Sequence, residues 1–237
     1  MEPKTIFEDD ELLVLGKPSG WIVNEAQTTG GQKVLQTWIA KNFQFPISNL
    51  QSMRNGIVHR LDKETSGILL VAKTEKAFRG LQGQFKERVV KKTYTALAHG
   101  KVEPKEGKIV APVGRLPWNR ERFGVVPGGR FAETSYSVAA YYMLHSTYYT
   151  MLKLYPMTGR THQIRVHLKH LGHPIVADEF YAGRKRSRSD RKWCSRLFLH
   201  ASAITFKHSK TNKEISLSSP LPSDLTKAVR QLEIPQL

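Results

Sequence analysis

The chain has 237 residues, 40% of them hydrophobic, and carries 37 Lys and Arg against 20 Asp and Glu, a formal net charge of +17. That balance is globular, the apolar runs fall far short of the ~20 residues that span a bilayer, and the single cysteine, Cys194, excludes a disulfide framework and a cysteine-based zinc site. A surplus of this size favours a polyanionic partner, nucleic acid first among them. The first residues include Glu8, Asp9, Asp10 and Glu11 and lack a basic segment followed by an apolar core, so the expectation is a cytoplasmic protein without a membrane anchor.

In chain order, residues 12–16 read as a short buried strand stopped by the Lys17-Pro18-Ser19-Gly20 turn. Residues 34–42 have helical character. Residues 56–59 read as a short strand leading into a polar loop, 60–67, and 68–73 as the strand that leaves it. Thr74 is placed as the N-cap of a helix over about 75–87, with Phe78, Leu81 and Phe85 at helical spacing. Residues 91–99 return to strand, with Thr93, Thr95 and Leu97 on one face and Lys92, Tyr94, Ala96 and Ala98 on the other. The Gly- and Pro-rich stretch 112–129 reads as connection. Residues 131–144 and 147–155 make two long strands joined at His145-Ser146. A helix is expected over 161–171, with Gly172 at its C′ position and Pro174 enforcing the stop. A final hairpin (199–207 with 214–217) and a short helix (224–232) complete the chain. Strands joined by hairpins, with helices between them, predict an α+β class rather than a doubly wound parallel sheet.

The charge is unevenly placed, with net +6 over residues 51–100 and +8 over 151–200. One run is dense: Arg184, Lys185, Arg186, Arg188, Arg191, Lys192 and Arg196, opposed only by Asp190. Such a run reads as a solvated loop that reaches phosphates, or as a plain solubilising surface.

The most informative segment is His59-Arg60-Leu61-Asp62-Lys63-Glu64-Thr65-Ser66-Gly67. It is anchored at both ends in core strands, as a rigid reactive loop should be. Arg60 and Lys63 keep Asp62 ionised, and a held carboxylate serves as nucleophile or general base. The same residues also fit an ordinary turn aspartate bonded to its own backbone. On the 161–171 helix, Ile164, Leu168 and Leu171 form a buried stripe, and His162, Arg165 and Lys169 gather about 100–160° away as a basic one. The Thr158-Gly159-Arg160 turn before it offers backbone amides to anions. His162, His167 and His170 point in different directions around the helix, and no metal is expected there.

These segments resemble the signature motifs of the RluA-type RNA pseudouridine synthases. His59-Arg60-Leu61-Asp62 with Thr65-Ser66-Gly67 is similar to one motif. Thr158-Gly159-Arg160-Thr161-His162-Gln163-Ile164-Arg165-Val166-His167, with Gly172-His173-Pro174-Ile175 and Asp178, is similar to another. Lys17-Pro18-Ser19-Gly20, Lys92-Thr93-Tyr94-Thr95-Ala96 and Leu199-His200-Ala201 are shorter matches in the right order.

The resemblance implies one catalytic domain over 1–237, a mixed, mainly antiparallel sheet with flanking helices, and a central cleft. It implies isomerisation of uridine to pseudouridine in rRNA or tRNA after base flipping, with no cofactor, no metal, and a monomer. By the same resemblance Asp62 is the catalytic carboxylate. Tyr94 stacks on the flipped base and helps remove the proton from carbon 5, and Arg165 holds Asp62 ionised and oriented. Arg60 enters the space the base leaves, and Ile164 walls the pocket or belongs to the core. Arg160, His162 and Lys169 suit the RNA. The basic run 184–196 and the His208-Ser209-Lys210-Thr211-Asn212 turn depart from the family pattern. The rival expectations are a catalytically silent RNA-binding protein of the same fold, and a glycosidase or nucleosidase using Asp62 alone; two cleft carboxylates would favour a glycosidase, and the loop offers only Glu64 as a second.

Overall fold

A computed structural model describes residues 1–45 and 53–235. The elements are β1 (Lys4–Glu8), β2 (Leu12–Lys17), α1 (Leu35–Asn42), β3 (Ser66–Ala72), α2 (Glu75–Lys86), β4 (Lys91–His99), β5 (Glu106–Val110), β6 (Val113–Leu116), β7 (Asn119–Val125), β8 (Glu133–Leu144), β9 (Thr147–Pro156), α3 (Gln163–His170), α4 (Arg184–Asp190), β10 (Leu199–Lys207), β11 (Glu214–Ser218) and α5 (Ser223–Val229). The α+β expectation holds: β1–β2, β2–β3, β4–β9, β5–β8, β8–β9, β6–β7 and β10–β11 pair antiparallel, and helices lie between the strands. The chain forms two compact units, Met1–Lys92 with Ala201–Ser219, and Thr93–His200 with Pro220–Leu237.

In the first unit the strand order is β1-β2-β3-β10, with β11 beyond β10. β3 reads SGILLVA and is buried at every position, so both of its faces are covered. On one face Leu12, Val14, Ile68 and Leu70 pack with Ala77, Phe78 and Leu81 of α2 and with Ile204 and Phe206 of β10. The Thr74 hydroxyl accepts from the Ala77 amide and starts α2 where the sequence places it.

In the second unit the order is β4-β9-β8-β5, with β6 and β7 as a separate two-stranded ribbon. β8 and β9 turn at His145 and Ser146, both at positive φ (48° and 61°), the two-residue turn whose twist suits long hairpins. The core joins Ala96, Leu97 and Ala98 to Leu152, Leu154, Ile164, Leu168, Ile175 and Phe198.

Several expectations are corrected. Residues 56–59 are not a strand; a short 3-10 turn at Arg54–Gly56 ends in a single bridge from Ile57 to Val71. The Gly- and Pro-rich stretch 112–129 is not mere connection but holds the β6–β7 hairpin. The basic run is not a loop over its first half: Arg184–Asp190 is helical, held by the buried Ser187 and Asp190. β1 and β5 were not anticipated; each is short, with only one buried position between them.

Candidate active site

Asp62 sits half-buried in a loop clamped by the 17–21 turn. The buried Lys17 ammonium donates to the carbonyls of Pro18 (3.0 Å), Trp21 (2.9 Å) and Lys63 (3.1 Å). The Gly20 amide donates to the same Lys63 carbonyl at 2.8 Å, and the Ser19 hydroxyl to the Glu64 carbonyl at 2.8 Å. Gly20 has φ +85°, which favours glycine at this turn. Thr65 closes the loop by donating its amide to the Asp62 carbonyl at 3.1 Å, and Leu61, Thr65 and Ser66 are buried on either side. Buried neighbours and backbone anchors thus fix the path of the loop, leaving the Asp62 side chain half-exposed and Arg60 exposed. Gly67 follows at φ +120°, and a Cβ there would collide with the backbone of Ala201. Only glycine lets β3 start that close to β10.

Behind the loop, the Leu70 amide donates to His59 Nε2 at 2.9 Å, which fixes the neutral Nδ1–H tautomer. Its ring stacks on Phe85 at 4.9 Å. Burial, with the Lys92 ammonium adding repulsion, pushes the imidazole down to about 3, and burial pushes Lys92 down to about 8. His59 is therefore a neutral strut for the loop.

In the second unit Tyr94 lies on β4 opposite Leu154, half-buried against the apolar core. Arg165 is on α3 and is 3% exposed. Its Nε and Nη2 donate to Asp178 Oδ2 and Oδ1, both at 2.8 Å, and its guanidinium lies 5.3 Å from the Phe180 ring and 5.1 Å from Tyr181. Asp178, 0% exposed, also accepts the amides of Phe180 and Tyr181. A bidentate, aromatic-covered arginine is rotationally locked. The surface row expected of His162, Arg165 and Lys169 is thus broken in the middle. The wheel puts Arg165 off the apolar stripe, but the 178–181 segment covers that face.

The start of α3 is held by a buried polar network. Thr158 donates to Gln163 Oε1 (2.7 Å) and accepts from the Glu133 amide (3.0 Å). The Arg160 amide donates to Gln163 Oε1 (3.0 Å), and Gln163 Nε2 donates to the Glu133 carbonyl and Thr134. His162 stands before the helix at φ +55°, a left-handed conformation, with Nδ1 2.9 Å from the Tyr181 hydroxyl. Arg160 donates from Nε to the Phe131 carbonyl at 3.1 Å, Ile164 is in the core, and Lys169 is exposed. The second unit therefore brings Arg165, His162 and Arg160 together around α3, and places Ile164 behind them. The sequence alone assigned no role to Asp178, Phe180 or Lys17: Asp178 and Lys17 stand in the motifs and Phe180 in none, and the distant partners Arg165 and Lys63 join them only in the fold. Among the described residues, no group of His, Cys, Asp and Glu is arranged to hold a metal ion, and no helix is long and apolar enough to cross a membrane.

A sequence profile for a family described as RNA pseudouridylate synthase matches residues 11–170. An uncharacterized RNA pseudouridine synthase of Chloroflexus aurantiacus is 41% identical over 219 residues, covering 92% of this chain and 65% of that protein. The ribosomal large subunit pseudouridine synthase D of Neisseria meningitidis serogroup B is 38% identical over 227 residues, covering 93% of this chain and 58% of its own length. The chain thus spans about three fifths of these relatives. The solved structure of human RNA Pseudouridylate Synthase Domain Containing 1 superposes with a TM-score of 0.73 at 25% identity, covering 99% of this chain and 97% of that one.

Proposed function

This chain belongs to the RNA pseudouridylate synthase family, and from that premise we propose that it isomerises uridine to pseudouridine in RNA, with Asp62 as the catalytic carboxylate. The observation that carries the proposal is the Asp62 loop: a half-exposed carboxylate on backbone fixed by Lys17, Ser19 and Gly20. Preorganisation of this kind is what a reacting group needs, because its geometry is set before substrate arrives.

The reaction breaks the bond from uracil N1 to ribose C1′, turns the base, and joins C5 to C1′. The C5 proton leaves and N1 gains one, so the product is an isomer and no redox partner enters. The uridine must leave its stack first. Tyr94 stacks on the base and serves the C5 proton; a phenol titrates near 10, so it needs a partner to act as a base. Arg165 has the task of keeping Asp62 ionised and oriented, and its own orientation is held by Asp178. Arg60 enters the vacated stack. Arg160, His162 and Lys169 contact the RNA, and Ile164 supports them from the core. Residues 1–237 then act as one catalytic domain, as a monomer in the cytoplasm. Ribosomal RNA is the first substrate to test, because the Neisseria relative is named for the large ribosomal subunit.

Transcribed large-subunit rRNA carrying tritium at uridine C5 provides the assay. Wild type should release tritium to water and leave RNA mass unchanged, and Asp62→Ala should release none while still binding RNA. Equal release by both proteins, or binding by both with no release, would remove Asp62 from the chemistry. Free uracil as product would point to a glycosidase.

A further inference from the structure

Outside the residues already given roles, the second unit contains a cavity of about 500 Å³ lined by Arg122, Glu179, Phe180, Arg184, Ser187, Arg188 and Arg191. Four of its seven lining residues are arginines. Two of them are already committed. Arg191 donates to Glu179 at 2.9 Å and from Nη1 to the Ser195 carbonyl at 2.9 Å, so this cation and the only acid of the wall cancel each other. Arg122 donates to the Phe180 carbonyl at 3.1 Å and lies 5.5 Å from the Phe180 ring.

Arg184 and Arg188 differ from these. They stand one turn apart on α4, both exposed, and among the described residues neither has an acidic partner. Like charges at i and i+4 destabilise a helix. Asp190, the one acid of α4, offers no relief, because it is buried and turned inward to His99 (2.9 Å) and the Ala177 amide (2.9 Å). The helix is therefore pinned by Asp190 and the buried Ser187, with Arg184 and Arg188 on the wall of a cavity where Arg191 is paired with Glu179 and Arg122 lies against Phe180. Neighbouring cations that repel each other in the free protein gain most from a shared anion.

Size and position indicate which anion. A cavity of about 500 Å³ is in the range that encloses an organic ligand rather than a bare ion. Phe180 is shared between this cavity and the Arg165 cluster, with Arg122 on it at 5.5 Å and Arg165 at 5.3 Å. Phe180 thus stands between the buried Arg165 and the cavity that Arg184 and Arg188 line.

We propose that the Arg122–Arg184–Arg188 cavity holds one nucleotide of the substrate RNA strand, its phosphate between Arg184 and Arg188, as a backbone anchor separate from the reacting uridine. This rests on RNA being the substrate, and the test separates the two ideas. Binding of single-stranded polyuridylate is measured against salt for wild type, for Arg184→Gln/Arg188→Gln, and for Lys185→Gln/Arg186→Gln, which removes equal charge from the same helix outside the cavity. Loss of one phosphate contact lowers the slope of log K against log salt by about 0.7–1. The cavity variant should show that drop and the control less than half of it. Equal drops would replace the anchor with diffuse charge. An unchanged slope in the cavity variant would overturn the proposal outright. So would thermal stabilisation by inorganic phosphate in wild type but not in the cavity variant, if the slopes match, since that describes a small-anion site. The slopes are read without turnover, so absence of tritium release in wild type would sink the isomerase assignment alone. Melting temperatures of both variants guard against unfolding, and relief of the Arg184–Arg188 repulsion should leave the cavity variant no less stable than wild type.

Discussion

Replacing Lys17 by methionine tests how the Asp62 loop is held. The substitution keeps the length of the side chain and removes the ammonium. The carbonyls of Pro18, Trp21 and Lys63, at 3.0, 2.9 and 3.1 Å, lose a charged donor in a buried place. A hydrogen bond to a charged group contributes about 1.5–3 kcal/mol, so the three supply roughly 5–9 kcal/mol. Against this stands the several kcal/mol needed to keep an ammonium out of water. The net loss should be about 2–4 kcal/mol, large for one side chain, and should lower the melting temperature by roughly 4–16 °C for a protein of this size. Two anchors survive, from Gly20 to Lys63 and from Ser19 to Glu64, so the chain should still fold. What the loop loses is its fixed path. Thermal unfolding and single-turnover tritium release at saturating RNA read the two effects separately. The expected result is a clear drop in melting temperature with at least a tenfold slower turnover and little change in RNA affinity. Ser19→Ala, which removes one neutral bond of about 1 kcal/mol, should show a small part of both. A Lys17→Met protein that melts and turns over like wild type would refute the clamp.

Three further outcomes follow from the same geometry. Gly67→Ala introduces a Cβ against the Ala201 backbone at a left-handed φ, and should destabilise by about 3 kcal/mol or more; wild-type urea unfolding would contradict this close approach. Asp178→Asn leaves the buried Arg165 cation without its carboxylate and should lose about 3–5 kcal/mol, with turnover falling in step; a loss under about 1 kcal/mol would show the pair to be dispensable. His59, held near 3 against an ordinary 6.5, takes up its proton later than the unfolded chain does. Stability is therefore full above pH 6.5 and declines as pH falls toward 3. An NMR titration of its C2 proton should be flat from pH 8 to 5, and a midpoint near 6.5 would dismiss the buried strut.

Much of this molecule could be read from its residues, and the exceptions share a cause. α2 was legible because Thr74, Phe78, Leu81 and Phe85 combine a cap with an apolar stripe, and α3 because Gly172 and Pro174 mark its end. α4 was missed because Arg, Lys and Ser fill it and its buried positions are Ser187 and Asp190, which no hydrophobic period reveals. The β6–β7 ribbon was hidden by Pro117, Gly114 and Gly124, the residues used to infer a connection. At the site, the Asp62 loop and Arg165 stood out as motifs, yet their holding partners did not. Asp178 lies 13 positions from Arg165 and Lys63 lies 46 from Lys17, and no local periodicity joins residues across such separations. Burial of Arg165 was likewise invisible, since it depends on Phe180 and Tyr181 folding back over α3.

The first unit takes β10 from residues 199–207, long after β3 at 66–72. On the ribosome, at about 5–20 residues per second, β3 waits roughly 7–27 seconds for that partner. During this interval an uncharged SGILLVA segment, buried along its whole length in the finished protein, offers an open strand edge of the kind that pairs with other chains. Gly67 gains its close neighbour Ala201 only at the end of the wait. The Asp62 loop can be anchored early by Lys17, Ser19 and Gly20, but the start of β3 beside it is packed only at the end, and a nascent chain stalled before residue 201 is one that chaperones must shield.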